Sequence, residues 1–569
     1  MNQAGASGTT NDRRHLAIIG GGQAAKWLLF GLAERLARGD RSLADLRISV
    51  FERGWEFGTG FAWSRQNALA EHETSLAEPI SRVAFGDEQR RQFQETVVML
   101  REHGVIVDLR RGMEIVALRR DAQALHLTTD SGESVCASAV VLATGHWRSD
   151  DPLEGTAGYH ASPWPAARLQ EDVCGQWLRE GARVPKRVLV LGTYLNALDA
   201  VISLSHRVGS FEEDLNGKLS FRGPPQFRMV MGSRRGGLPR VWGRAPSLRP
   251  ARVLTAAALD SLRGATADGF LSLHRCIELL EQEIGIEQGR LSRLRLGGTS
   301  QAENAVRIGQ TTRGLRRRLE TDLRAVFAPG SSSYRYKDTV EVAWQVALFS
   351  ALPVLSEYSH ALCAEDQCEF DDRLRTTFFQ HAMPMTLRSA RKLEALMASG
   401  HLQVMALGRH YACFPNRQGV VLSSPALEAR REVQEFSDVV KAYTASSDIT
   451  YHPAPLIQGA LRSGIIRPAA RYFRDPALAE NIAACKGDSA LIERRHGPSL
   501  LVGGVDVNPG TRQIIDADSV SAAVDAPLLF AMGPLLIGQF LDAHSIGQLI
   551  RDSASILDKL TSTQKRAVC

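Results

Sequence analysis

A chain of 569 residues is long enough for about two to four domains with sizeable cores. Its 68 Lys and Arg against 62 Asp and Glu leave a net charge of only +6, spread along the chain, which argues against a dedicated nucleic-acid protein. With 44% apolar and 23% charged residues, wholesale disorder is excluded.

The 8 cysteines are scattered without a regular framework, which suits reduced thiols in a cytoplasmic protein better than a disulfide scaffold. Residues 1–14 are small and polar, lack the apolar core of a signal peptide, and are expected to form a flexible tail. No stretch of about 18 apolar residues is free of charge, so no membrane-spanning helix is expected.

The first strand is expected at Leu16-Ala17-Ile18-Ile19, a short apolar run that fits a buried parallel strand. Gly20-Gly21-Gly22-Gln23-Ala24-Ala25 follows, then Leu28, Leu29, Leu32 and Leu36 at helical spacing, and a second strand Ile48-Ser49-Val50-Phe51 ending in Glu52. This is a βαβ unit with the dinucleotide fingerprint. Gly20 permits the tight turn, Gly22 lets a pyrophosphate approach the backbone, and Ala25 keeps helix and strand close. The helix N-terminus offers its free N–H groups to phosphates, and Glu52 stands where a carboxylate can bind ribose hydroxyls.

In the segment Ser138-Ala139-Val140-Val141-Leu142-Ala143-Thr144-Gly145-His146-Trp147, another buried strand leads into Ala-Thr-Gly. A second nucleotide unit begins at Val188-Leu189-Val190-Leu191 and continues Gly192-Thr193-Tyr194-Leu195-Asn196-Ala197-Leu198-Asp199. A strand near residues 227–231 then ends in Ser233-Arg234-Arg235-Gly236-Gly237-Leu238-Pro239, and its two arginines suit a ribose 2′-phosphate, favouring NADP over NAD. Tyr194 fills the second glycine's place, where its side chain could obstruct a pyrophosphate; the alternative is a Rossmann-like half retained for packing.

From about Leu254 to Gly400 the pattern is helical, with amphipathic stretches at 277–284, 313–326 and 376–397. Arg316-Arg317-Arg318 reads as a solvated helix face, and Pro329-Gly330-Ser331-Ser332-Ser333 as a loop. Near the end a strand at 527–532 runs into Gly533-Pro534-Leu535-Leu536-Ile537-Gly538. Asp542-Ala543-His544-Ser545 and a closing helix from Ile546 to Leu560 follow.

Together these segments resemble the FAD/NAD(P)-binding oxidoreductase family related to flavin-dependent, N-hydroxylating monooxygenases. The resemblance rests on Ile18 to Ala25, Ala143-Thr144-Gly145, Gly192 to Asp199, Ser233 to Pro239, Arg391 to Val404 and Leu529 to Gly538. Family members usually carry Gly-Thr-Gly where this chain reads Gly192-Thr193-Tyr194. The implied fold is α/β, with two Rossmann-like dinucleotide-binding domains and a helical insertion. The FAD-binding domain is expected at 15–170 and 505–569, the NAD(P)-binding domain at 185–250 and 401–504. The insertion, 251–400, is expected to act as a substrate lid.

The resemblance implies FAD across Gly20, Gly22, Gln23, Ala24, Ala25, Glu52, Arg53, Thr144 and Gly145, with its ring near Gly533, Pro534 and Gly538. It implies NADPH at Gly192, Thr193, Tyr194, Leu195, Asn196, Ser233, Arg234 and Arg235. Reduced flavin would meet molecular oxygen, form a C4a-hydroperoxide and oxygenate a small nucleophilic substrate such as an amine. His146, Asp542 and His544 are the candidates for catalytic contacts, although Asp542 equally suits a helix cap. Dimerisation through the helical region is a further expectation; no nucleic-acid or membrane partner is expected.

Other chemistries fit less well. A disulfide oxidoreductase needs a cysteine pair soon after the first unit, and residues 53–98 have none; Cys363 and Cys368, in the helical region, read as ordinary thiols. No Cys/His cluster has metal-ligand spacing, and the common hydrolase motifs are missing. Two alternatives stay open: a flavin oxidase or dehydrogenase reduced by its own substrate with a degenerate nicotinamide site, and a non-catalytic flavin-binding partner or redox sensor.

Overall fold

A computed structural model of the chain describes residues 14–74, 80–148, 150–245, 249–288, 312–408, 410–416, 419–424, 434–443, 448–494, 497–516 and 526–567. The expected tail lies, apart from Arg14, outside them. Among the described residues, ten strands build two parallel sheets. They are β1 (His15–Ile19), β2 (Arg47–Glu52), β3 (Ile106–Arg111), β4 (Ala139–Leu142), β5 (Tyr159–His160), β6 (Lys186–Leu191), β7 (Phe227–Ser233), β8 (Leu402–Ala406), β9 (Asp438–Lys441) and β10 (Leu528–Ala531).

The helices that position the site are α1 (Gln23–Ala37), α2 (Arg82–Glu102), α3 (Leu195–Val208), α4 (Ala256–Gly264), α5 (Leu273–Gln288) and α6 (Thr312–Ala325). They continue with α7 (Ala343–Tyr358), α8 (Arg375–Ala382), α9 (Leu387–Ala398), α10 (Pro455–Arg462) and α11 (Ile546–Ala567).

The first sheet runs β10-β4-β1-β2-β3, all neighbours parallel, with Ile18 beside Val50 and Val141. Its strands are apolar throughout because both faces are covered. Leu16 and Ile18 face one side and pack with Leu28 and Leu32 of α1, Val97 of α2 and Ile556 of α11. Ala17 and Ile19, one residue out of phase, face the other side among Leu127, Ile457 and Leu536. Each such aliphatic side chain contributes about 1.5–3 kcal/mol on burial. An antiparallel sheet of Ile115–Arg120, Leu125–Thr129 and Ser134–Ala137 is inserted between β3 and β4 and covers that second face.

The second sheet runs β8-β7-β6-β9-β5, also parallel. Both sheets place β-strand C-termini, glycine turn and helix N-terminus at one edge, which is where open α/β sheets bind ligands. The chain is therefore an α/β protein of two Rossmann-like units with a helical insertion.

The sheets divide the sequence differently from the expected boundaries. Tyr159–His160, expected in the first unit, is the edge strand β5 of the second sheet, paired with Val439 and Val440. Conversely, Ile449, Leu456, Ile457 and Ile466, expected in the second unit, share the first unit's core with Leu127 and Leu536. Backbone hydrogen bonding in the sheet and burial against the antiparallel layer decide both cases, and neither has a local sequence signature.

The insertion is helical, with its own core from α4, α5, α7 and α8. The stretch 376–397 is two helices, α8 and α9, parted at 383–386. Within the run Arg316-Arg317-Arg318 on α6, only Arg317 is exposed. Arg316 pairs with Glu394 at 3.0 Å, and Arg318 reaches in to the Leu238 carbonyl at 2.7 Å. The run is thus largely a tie between the insertion and the second unit, not a solvated face.

Candidate functional site

The first glycine turn is held in a demanding geometry. Gly20 has φ +107, and a Cβ there would collide with the Ala143 carbonyl, so β1 and the turn after β4 touch backbone to backbone. α1 starts at Gln23 with no side chain capping it, leaving its first N–H groups for a ligand at the sheet edge. Glu52, at the end of β2, accepts from the Gly21 amide at 2.8 Å and the Gly54 amide at 2.7 Å. Its carboxylate therefore braces the turn from the ribose side, while Arg53 beside it is exposed.

A second element completes this cradle. Gly58-Thr59-Gly60-Phe61-Ala62-Trp63 folds back over the first turn: the Gly58 amide donates to the Gly21 carbonyl at 2.8 Å, and Gln23 Nε2 donates to the Gly58 carbonyl. Gly60 lies against Gly22 so closely that a Cβ on Gly22 would stand 3.3 Å from its Cα. Ala24 and Ala25 are buried beneath. Sequence reasoning missed this clamp, although a second glycine pair six residues after Glu52 was there to be read.

The crossing segment after β4 carries polar atoms that have no partner among the described residues. Thr144 Oγ1 and Trp147 Nε1 are buried and unbonded, beside Gly145. Buried donors and acceptors are nearly always satisfied, so these mark a place where a polar group from outside the chain fits. His146 lies next to them and stacks on His544, ring centroids 4.7 Å apart and 21° from parallel. Both rings are open to solvent yet lie deep within the protein, which is the signature of residues lining a cleft. Enclosure by protein, and for His146 the neighbouring His544, depresses both pKa values, to about 3 and about 4. Both are neutral at physiological pH and can donate or accept one hydrogen bond each.

Asp542 is placed differently. Its Oδ1 accepts from the backbone amides of His544 at 3.1 Å and Ser545 at 3.0 Å, and its Oδ2 accepts from the Ser545 hydroxyl. The carboxylate is 2% exposed and committed to capping the entry to α11. Gly533 and Pro534 form the buried turn after β10. Gly538 packs its backbone against Val502, where a Cβ would overlap the Val502 carbonyl.

In the second unit Gly192 turns the chain beneath Ala442 and Tyr443. Thr193 Oγ1 donates to Ser233 Oγ at 2.9 Å, and that hydroxyl accepts from the Gly236 amide at 3.1 Å, so the two loops brace each other. Tyr194 does not lie over the turn. Its hydroxyl is held between the carbonyls of Phe379 at 2.8 Å and Met383 at 2.9 Å, anchoring the insertion to the loop. Leu195 and Asn196 open α3, again without a side-chain cap. Of the two arginines, Arg235 donates to the carbonyls of Asp372 at 2.7 Å and Arg373 at 3.2 Å, whereas Arg234 is exposed at the end of β7.

Cys363 and Cys368 are both free thiols, buried. Burial pushes the Cys363 thiol up to about 12 and raises Cys368, so neither is poised as a thiolate. Among the described residues no group of metal-ligating side chains forms, and no helix is long and apolar enough to cross a membrane.

Comparison with known proteins adds the following. The chain is 24% identical over 459 residues to the uncharacterized protein YdhS of Escherichia coli (strain K12), covering 72% of this chain and 80% of that protein. In structure it is similar to L-lysine 6-monooxygenase from Pseudomonas syringae, with 13% identity, 97% and 99% of the two chains covered and a TM-score of 0.43. It is also similar to NADP+-bound cyclohexanone monooxygenase from Rhodococcus sp. Phi1, with 14% identity, 98% and 85% covered and a TM-score of 0.41. Residues 70–147, which lead from the first cradle through β4 to the crossing segment, match the family model described as FAD-NAD(P)-binding.

Proposed function

We propose that this chain is an FAD-dependent, NADPH-using oxidoreductase, of the monooxygenase kind. The observation that carries the reading is the joining of two parallel Rossmann-like sheets, each with an uncapped helix behind a glycine turn, to a crossing segment that presents unbonded Thr144 and Trp147 beside a deep histidine-lined cleft.

The residues present fit FAD. The cradle of Gly20, Gly22 and Gly60 leaves backbone and helix N-terminus for a pyrophosphate, Glu52 stands at the ribose side, and Thr144 Oγ1 lacks a partner. Bound FAD would supply electron transfer and dioxygen activation. The chain's own groups do the positioning. Arg234 offers an exposed cation, unpaired among the described residues, for a ribose 2′-phosphate, the paired hydroxyls of Thr193 and Ser233 set the loop, and neutral His146 and His544 can each offer a hydrogen bond without adding charge. With Asp542 committed to its cap, the histidines are the side chains placed to hold or pass a proton.

The test is an anaerobic absorbance titration of the purified protein with NADPH and then NADH. Bleaching of flavin bands by NADPH, with a weaker response to NADH, is the expected result. A protein that neither contains flavin nor binds it when added would overturn the reading. A flavin that only an organic substrate bleaches would favour the oxidase or dehydrogenase alternative.

A further inference from the structure

The helical insertion encloses a cavity of about 800 Å³, solvent at its opening included, between α4, α5, α7 and α8 and the strap Gly538–Leu541 of the first unit. Its walls are mainly leucines, phenylalanines and an isoleucine, exemplified by Leu280 and Phe378, with a few polar groups among them, the kind of lining that small-molecule sites have. The strap continues in the chain into Asp542, Ala543 and His544. Arg375 lines the cavity, and its charge is felt at His544.

The polar groups of this lining have one sign. Arg375 is the sole charged side chain among the lining residues, and no carboxylate is among them. Its Nη1 binds Asp371 at 3.0 Å, and the remaining guanidinium N–H groups are left for other acceptors. Gln367, 6% exposed, lines the cavity with its amide unbonded among the described residues. Behind the strap, buried Arg471 forms no ion pair among the described residues; it donates to the carbonyls of Gly538 at 2.9 Å and Gln539 at 3.3 Å, with the charges of Asp371 and Asp506 nearby. Arg375 keeps N–H groups that Asp371 does not use, and no carboxylate is among the lining residues, so an ammonium group entering the cavity would lose hydration without a lining counter-ion, whereas a carboxylate would meet donors.

We propose that the cavity binds a medium-length aliphatic chain ending in a carboxylate, with the head group at Arg375 and Gln367 and the chain among the leucines. This assigns the substrate class of the proposed oxidoreductase, and it rests on that reading only in taking the bound chain as the substrate. It departs from the amine expected from sequence.

The test is a calorimetric titration of the full-length protein with decanoate, decan-1-ol and decylamine, with flavin content and bleaching by NADPH recorded on the same preparation. Decanoate is expected to bind about tenfold or more tighter than decylamine. Arg375→Met should weaken decanoate about tenfold while leaving decan-1-ol within about threefold, and Leu280→Trp, which fills the cavity, should remove all three. Arg375 is 41% exposed, so its variant keeps the test usable if the cavity-filling one does not fold. Decylamine binding as tightly as decanoate, or decanoate binding unaffected by Arg375→Met, would overturn the proposal. If decanoate binds as expected but the protein neither contains flavin nor binds it when added, the oxidoreductase reading fails and the cavity assignment stands. If flavin is bleached and decanoate does not bind, the cavity assignment fails alone.

Discussion

At the scale of single residues, backbone geometry matters more than side-chain chemistry in the first unit. Gly20→Ala should cost roughly 2 kcal/mol or more, because it adds strain at positive φ to a collision with the Ala143 carbonyl. A thermal melt together with the FAD retained on purification checks it; an unchanged melting temperature with full flavin would contradict the geometry. Tyr194 shows how a residue type misleads without its rotamer. From sequence, glycine there looks restorative. In the fold, the phenol binds two carbonyls of the insertion, so Tyr194→Phe should lose about 1–2 kcal/mol. Tyr194→Gly should lose more, and should loosen the α8 segment to proteolysis. Improved NADPH use by the glycine variant without loss of stability would show that the side chain is an obstruction after all.

At the scale of elements, the insertion is tied down by charges placed against backbone. The Glu283 carboxylate on α5, 2% exposed, accepts from the amides of Arg252, Val253 and Leu254 and fixes the approach to α4. Glu283→Ala strands three amides and should cost about 3 kcal/mol locally, seen as faster hydrogen exchange in α4 and α5 with the two parallel sheets unaffected. Exchange accelerating uniformly over the chain would mean that the insertion and the sheets unfold as one. Helix positions in this region were legible from apolar periodicity: 277–284 falls within α5, and 313–326 matches α6 but for its last residue. The break between α8 and α9 has a local signal that apolar spacing alone passes over: Pro384 interrupts the helical pattern, and the Thr386 side chain caps α9.

At the scale of the whole molecule, a buried ion cluster joins the insertion to the first unit. Arg512, 1% exposed, binds Glu357 of α7 and Asp552 of α11, each at 2.7 Å. The insertion is thus pinned at one end beside the cleft, which narrows the lid motion expected from sequence to its other parts. Histidines set the pH response of the fold. His146, His206, His360, His381, His452 and His544 are all held well below the usual imidazole range, burial being the first cause in each. For a histidine with a depressed folded pKa, the unfolded chain binds the extra proton first. Stability is then full above the unfolded value of 6.5 and is lost as pH falls toward about 4. The melting temperature should fall between about pH 7 and about pH 5, and a flat profile there would contradict these environments.

The amino-acid sequence by itself determined the two βαβ units, because tight turn, buried strand and helix N-terminus are local requirements met by Gly20, Gly22, Ala25, Gly192 and the apolar runs beside them. It also determined that the middle of the chain is helical. Tertiary structure alone decided which strands join which sheet, as with Tyr159–His160, since pairing across hundreds of residues leaves no local pattern. It alone decided the direction of Tyr194, the commitment of Arg235 to backbone carbonyls, and the meeting of His146 with His544. A side chain's role depends on what stands opposite it, and in this fold the opposite partner comes from a distant part of the chain.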